Sequence, residues 1–172
     1  NPHPIDLSNP VIINKNGLKV TAFRVPHDPV EPALGYRFDF KGRSIVISGD
    51  TSYSENLIKN AKDADVLFHE AQANHLLDIM KEAIPGNKGL VKILDDIVTY
   101  HSTPIEAAQA ANLANVDHLM FYHLTPAPRN KMMERIFFRG VNDVRKDWST
   151  TEDGTMVVLP LDSNEIKITK VN

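Results

Sequence analysis

Three strand-length apolar segments separated by helical patterns are the feature that most limits how this chain can fold. They lie at residues 44–48, 65–69 and 118–122. A helix between two strands predicts an α/β fold, in which parallel strands are joined by right-handed crossovers. Alternating segments at Leu18–Val25 and Ala33–Phe40, and a closing pair at 155–161 and 165–171, predict antiparallel hairpins at the flanks. The sequence therefore predicts a mixed sheet with flanking helices.

Each of the three central strands is followed by side chains that can bind a metal or transfer a proton. Asp50 follows the first strand, the His69-Glu70 pair ends the second, and His123 follows the third. The carboxyl ends of parallel strands meet at one edge of a sheet, which is where α/β proteins bind ligands. We therefore expect these four residues at a common edge.

Two further histidines are predicted to reach the same edge. His101 stands just before a capping box, in which Thr103 and Glu106 frame Pro104 at the start of a helix. That helix must run antiparallel to the strand that follows, so its first turn opens on the edge. His27 follows Leu18–Val25 and arrives there if this strand runs parallel to the central ones.

The chemistry of this set is that of a metal site without thiolates. The chain has no cysteine, so only His, Asp and Glu can be ligands. Imidazole and carboxylate suit Zn²⁺, with Fe and Mn as alternatives, and one carboxylate can bridge two ions. Each residue taken singly also fits a structural role, such as a turn for Asp50 or a helix-preceding position for His101. The other histidines do not share the edge placement and are predicted to have no catalytic role: His3, His75 and His118.

Five short motifs resemble, in their order along the chain, those of ribonuclease Z and related hydrolases of the metallo-β-lactamase superfamily. They are Val25-Pro26-His27, Ser48-Gly49-Asp50-Thr51, His69-Glu70-Ala71, His101-Ser102-Thr103 and Tyr122-His123-Leu124.

The resemblance implies a role for each of the motif residues. His27, Asp50 and His123 would be metal ligands, with Asp50 bridging two zinc ions. His101 would assist proton transfer, and Glu70 would orient a neighbouring histidine. The implied activity is hydrolysis by a metal-activated hydroxide, as in other dinuclear centres.

The superfamily's main metal motif, His-x-His-x-Asp-His, is absent from these 172 residues. The resemblance therefore implies a single domain over residues 1–172 that is the C-terminal half of an αββα sandwich. The missing N-terminal half would be its partner and would supply the remaining ligands. We expect the 172 residues alone to be inactive, and to self-associate as a homo-oligomer through the exposed apolar face of the sheet.

The substrate stays open between several classes. Residues 129–148 fit ribonuclease Z poorly and look more like arylsulfatase-type relatives, so phosphodiesters such as RNA and sulfate esters are both candidates. A non-catalytic interaction module is the remaining alternative. Basic and aromatic residues near a predicted helix over 131–144 suit either a nucleic acid or a solvated helix face: Arg135, Phe137, Phe138, Arg139, Arg145 and Lys146.

Composition limits the partners and the location only coarsely. The net charge of −3 gives the whole chain no general affinity for polyanions. No apolar run approaches the roughly 20 residues that cross a bilayer. We expect a cytoplasmic protein if it is ribonuclease Z-like, and a periplasmic one if a signal peptide precedes Asn1.

Overall fold

The computed structural model describes residues 4–171, which form a seven-stranded sheet, a separate two-stranded sheet and six helices within that range. The strands are β1 (Val11–Lys15), β2 (Leu18–Val25), β3 (Ala33–Phe40), β4 (Arg43–Ile47), β5 (Val66–Gln72), β6 (His118–Thr125), β7 (Trp148–Thr150), β8 (Thr155–Val158) and β9 (Lys167–Lys170). The helices are α1 (Glu55–Ala61), α2 (Asn74–Ala83), α3 (Lys88–Asp96), α4 (Pro104–Leu113), α5 (Lys131–Phe137) and α6 (Val141–Val144), and a 3₁₀ turn (Ile97–Thr99) follows α3.

The large sheet is mixed, as predicted. Its strands lie in chain order from β1 to β7. The first four pair antiparallel, whereas β4, β5, β6 and β7 pair parallel through helical crossovers. Since β2 and β4 both run antiparallel to β3, β2 runs parallel to the central strands. His27 was expected at the common edge if its strand runs parallel to the central strands, and β2 does so. The closing hairpin, β8 and β9, is antiparallel as predicted.

One face of the sheet is covered by α1 and α4. Leu57 of α1 and Ala107 and Ala111 of α4 are fully buried against Val46 and Leu119 of the sheet. Alanines let α4 approach the strands closely, and its capping box forms as predicted. This face holds the continuous hydrophobic core of the chain.

The opposite face of the sheet carries a second apolar surface. Successive side chains of a strand alternate between faces, so the register places Tyr36, Phe38, Ile45, Phe68 and Tyr122 together on it. All five are partly exposed. They form a sheet face, called the open face below, that α1 and α4 do not cover.

Two helical expectations were wrong in their boundaries. The pattern at 71–84 predicts a helix, but β5 continues to Gln72 because Ala71 and Gln72 pair with Leu124 and Thr125 of β6. Pairing between distant strands overrides the local helix preference of alanine and glutamine. The single helix expected over 131–144 is two, because Gly140 adopts a left-handed φ of 85° between α5 and α6.

The sequence patterns also missed both edge strands. β1 is almost entirely exposed and β7 has only three residues, so neither carries a clear alternation of apolar and polar residues. Among residues 4–171, no helix has the length and apolarity to cross a membrane.

Candidate metal centre

The carboxyl ends of β2, β4, β5 and β6 bring five of the predicted site residues together. The rings of His27 and His101 have centroids 5.1 Å apart, and those of His101 and His123 are 6.0 Å apart. The Nδ1 atom of His123 lies 3.0 Å from Oδ1 of Asp50. Glu70 completes the cluster through His101, whose Nδ1 atom is 3.0 Å from Oε1 of the carboxylate.

Glu70 is the buried centre of this cluster, with an exposure of 0%. Its Oε1 atom accepts hydrogen bonds from the backbone N–H groups of Thr51 (3.2 Å) and Ser102 (3.0 Å), in addition to the contact with His101. The Ser102 hydroxyl donates in turn to the Thr51 carbonyl over 2.7 Å. One carboxylate therefore ties the loop after β4 to the segment that begins α4. Sequence patterns give no signal for Thr51 or Ser102, because both act through the backbone.

Two polar atoms of the cluster have no hydrogen-bond partner among residues 4–171, although both are buried. They are Nε2 of His27 and Oε2 of Glu70. Buried polar atoms are nearly always paired in folded proteins, so an unpaired nitrogen and oxygen in one cluster indicate a place for a ligand. The donors are nitrogen and carboxylate oxygen, which fit zinc, iron or manganese.

Three side chains of the cluster lie close enough together that they could hold one metal ion. Glu70, His101 and His123 each offer one atom within 4.8 Å of the other two. The family resemblance instead names His27, Asp50 and His123 as ligands, with Glu70 and His101 beside them. Both sets share His123, and both lie in the same cluster. The two sets differ in which of the five side chains are ligands and which support them.

Irregular backbone conformations orient two of these side chains, those of His123 and Asp50. His123 has no partner in the register of β5 and β6 and adopts a left-handed φ of 44°, so it is the extra residue of a bulge. The bulge turns the ring towards Asp50 while β6 continues to Thr125. Gly49 has a φ of 65°, and a Cβ atom there would collide with the Leu34 carbonyl. Only glycine fits this turn, which carries the chain from β4 to Asp50.

The cluster is closed on one side and open on the other. Glu70 is buried and the His101 side chain is 10% exposed, whereas the side chains of Asp50 and His123 are 42% and 48% exposed. Burial lowers the pKa of His101, but the hydrogen bond and the negative charge of Glu70, with a contribution from Asp50, outweigh it. The pKa of His101 therefore lies above its usual value. The cluster is therefore open to solvent on the side of Asp50 and His123.

Two tyrosines were not predicted as part of the site. The ring of Tyr100 lies 4.8 Å from that of His27 and 5.2 Å from that of His101, so it packs beside both. Burial raises the pKa of Tyr122, although its hydrogen bond to Ser48 acts in the opposite direction. The sequence signal that could have identified these tyrosines is their position immediately before His101 and His123.

The other histidines lie elsewhere. His69 was expected at the edge, but it alternates with Glu70 along β5 and is buried on the opposite face of the sheet; burial lowers its pKa. Its Nδ1 atom is 2.7 Å from the Glu70 carbonyl. His75 contacts the Ile136 carbonyl, and His118 contacts the Ser149 hydroxyl at the start of β6. His3 lies outside the described residues.

Comparisons with known proteins agree with this architecture. A ribonuclease Z of Mycobacterium tuberculosis is 34% identical over 114 residues, which are 66% of this chain and 38% of that protein. The short form of human tRNase Z matches 70% of this chain and 41% of its own, with a TM-score of 0.50 and 29% identity. A metallo-β-lactamase fold protein of Bacillus subtilis matches 80% of this chain and 48% of its own, with a TM-score of 0.56 and 18% identity.

These matches confirm the predicted metallo-β-lactamase fold. The chain spans less than half the length of each of these relatives. A model of the family described as "Beta-lactamase superfamily domain" matches residues 1–124, the segment that contains every residue of the cluster. The chain therefore belongs to the β-lactamase superfamily.

Proposed function

We propose that the cluster is part of a dinuclear metal centre that hydrolyses phosphodiester bonds. The observation that carries this proposal is the buried, unpartnered Nε2 atom of His27, a proposed ligand, at the ligand-binding edge of the sheet. Zinc is the expected metal, with manganese or iron as alternatives. The names of the ribonuclease Z relatives support a nucleic-acid substrate.

In this proposal the five side chains divide into ligands and a proton-transfer pair. His27, Asp50 and His123 would hold the metals. The metals, when bound, supply Lewis acidity and a hydroxide nucleophile at neutral pH. Glu70 holds Nδ1 of His101, which leaves Nε2 of the imidazole to donate a proton to the leaving oxygen. Glu70 is itself held by two backbone N–H groups, so the orientation of His101 is fixed before substrate binds.

We further propose that a partner segment completes the centre and covers the open face. The His-x-His-x-Asp-His motif does not occur in these 172 residues, and in this proposal the partner segment supplies it. The partly exposed aromatic side chains of the open face, among them Tyr36, Phe38 and Phe68, suit a second sheet packed against them. The 172 residues produced alone are expected to be inactive and to self-associate through this face, which analytical ultracentrifugation would detect.

The experiment that tests the proposal is elemental analysis of the complete protein, followed by assays with bis(p-nitrophenyl) phosphate and p-nitrophenyl sulfate. We expect about two metals per chain, cleavage of the phosphate diester, and loss of that cleavage on chelation. Preferential cleavage of the sulfate ester would replace the phosphodiesterase with an arylsulfatase-like enzyme. A protein that stays metal-free after reconstitution would leave only the non-catalytic interaction module.

A further inference from the structure

A second cavity, whose lining includes none of the five side chains of the candidate metal centre, combines positive charge with aromatic rings. It has a volume of about 320 Å³ and lies between α5 and the edge strand β7. We call it the cationic hollow and define it by six of its lining residues: Lys131, Glu134, Arg135, Phe138, Arg139 and Trp148.

The positive charge of the cationic hollow is not neutralised by neighbouring carboxylates. The single acidic residue of its lining, Glu134, pairs with Lys131 over 2.7 Å. Arg135 and Arg139 are exposed, and neither takes part in an ion pair within residues 4–171. Two guanidinium groups are thus available to bind an anion such as a phosphate.

Arg145, which the sequence placed in the same basic group, has a structural role instead. Its guanidinium donates to the carbonyls of Val116 and Asp117 and to the side chain of Asn112. It therefore joins the end of α4 to the segment after α6 and does not line the cationic hollow. The basic surface is smaller than the sequence suggests, but it is concentrated on Arg135 and Arg139.

The aromatic wall is held in a fixed orientation. The rings of Phe138 and Trp148 have centroids 4.9 Å apart, and Trp148 also packs edge-on against Phe121 of the core. The indole Nε1 donates to Oδ1 of Asn142 over 3.0 Å. Trp148 remains partly exposed and lines the cationic hollow. A fixed aromatic surface beside free cations is the arrangement that single-stranded nucleic acids bind, with a base on the ring and a phosphate on the cation.

The cationic hollow borders a larger cavity that reaches the metal centre. Lys131 and Glu134 also line a larger cavity of about 840 Å³, whose wall includes His123. An RNA strand whose scissile phosphate lies near His123 can therefore extend along the larger cavity and across α5 to the cationic hollow. A flat or isolated basic patch would lack this path.

We propose that the cationic hollow binds a base and a phosphate of the single-stranded RNA that flanks the cleaved bond. The identity of the ligand as RNA rests on the proposed function, but binding requires neither metal nor catalysis. Trp148 is the only tryptophan of the 172 residues. In the complete protein, the fluorescence that is lost in a Trp148→Phe variant reports on occupation of the cationic hollow. The probe is a fluorescein-labelled, 5′-phosphorylated hexamer of oligoadenylate, added to the complete protein in the presence of a chelator.

We expect the hexamer to quench Trp148 and to bind with an affinity that falls as salt rises. The double variant Arg135→Gln with Arg139→Gln should reduce the magnitude of the slope of log K against log salt by about 0.7, the contribution of one phosphate contact on a single strand. Fluorescence anisotropy of the label gives the binding constants. The matched control is Lys88→Gln with Lys92→Gln, which removes the same charge from exposed positions on α3 and should leave the slope unchanged.

The proposal is overturned if the hexamer leaves Trp148 unquenched, if the arginine variant keeps the wild-type slope, or if the lysine control loses as much. Equal competition by polyglutamate would also overturn it, because the site would then bind acidic proteins without stacking. If elemental analysis finds no metal after reconstitution but the hexamer still binds in an arginine-dependent way, the cationic hollow is supported and the proposed hydrolase fails. The two proposals therefore fail separately.

Discussion

The candidate metal centre and the cationic hollow are built in different ways. In the metal centre, Glu70 is fully buried and its Oε1 atom accepts three hydrogen bonds from two loops and a histidine. In the cationic hollow, Arg135 on the seven-residue helix α5 and Arg139, two residues past its end, are both exposed to solvent. Reacting groups must be positioned to a fraction of an ångström, which requires buried and interlocked polar groups. A polyanion can be held by exposed cations, because guanidinium groups are weakly hydrated and adapt to the phosphate.

The largest effect is expected from Glu70→Ala, which should lower the free energy of unfolding by about 2–6 kcal/mol. The reason is that two buried backbone donors, on Thr51 and Ser102, lose their acceptor, and each such loss costs about 1–3 kcal/mol. The double variant Arg135→Gln with Arg139→Gln should change it by less than about 0.5 kcal/mol, as exposed substitutions do. Urea denaturation measures both. Similar losses in the two variants would mean that the two regions are not built differently.

His101→Ala should reduce turnover by about 10²–10⁴-fold, the usual contribution of a positioned acid or base, while bound metal is retained. The arginine variant should instead lower kcat/KM for RNA through KM, because it removes binding that is present before the transition state. Steady-state kinetics and elemental analysis separate the two. If His101→Ala loses its metal, His101 is a ligand, in agreement with the tight group of Glu70, His101 and His123.

His123→Ala should weaken metal binding by more than about 100-fold, beyond the effect of losing a group that only supports a ligand. Its side chain is 48% exposed, so the fold should persist. The matched control is His75→Ala, which removes an exposed histidine that contacts the Ile136 carbonyl. Titration against a fluorescent zinc chelator measures both affinities. Equal affinities in the two variants would remove His123 from the metal centre.

The smallest expected effect concerns His118, which is the first residue of β6, whereas His123 lies near the last. Burial and the positive charge of Arg145 lower the pKa of His118 below the ordinary value of 6.5. The folded state therefore binds fewer protons than the unfolded state, and stability falls as the pH drops below 6.5 towards the lowered value. His118→Gln should flatten the pH dependence of the melting temperature in this window. An unchanged slope would show that other groups account for the acid sensitivity.

Much of the candidate site follows from local sequence signals. Strand-length apolar segments ending in Asp50, Glu70 and His123, and the capping box after His101, are short-range patterns. The rule that parallel strands share their carboxyl edge converts these patterns into a cluster. His69 shows the limit of the rule, because the period of two along a strand places either His69 or Glu70 at the centre and does not say which.

The remaining features depend on contacts between distant segments. The extension of β5 to Gln72 requires β6 beside it, and the bulge at His123 exists only within that pairing. The cationic hollow needs the break at Gly140 and the edge strand β7 to bring Trp148 against Phe138. A short strand with no alternating pattern forms because a neighbouring strand offers it unpaired backbone groups, and no local signal carries that information.

The sequence by itself therefore determined the three central strands with their helical crossovers, the mixed sheet and the edge at which the candidate metal-binding side chains gather. These follow from periodicity, helix caps and the direction of crossovers, which act over a few residues. Tertiary structure alone decided that Glu70 and not His69 enters the cluster, that Arg145 binds carbonyls, and that two arginines meet a tryptophan at the sheet edge. These outcomes depend on which buried polar groups find partners, and such partners lie far apart along the chain.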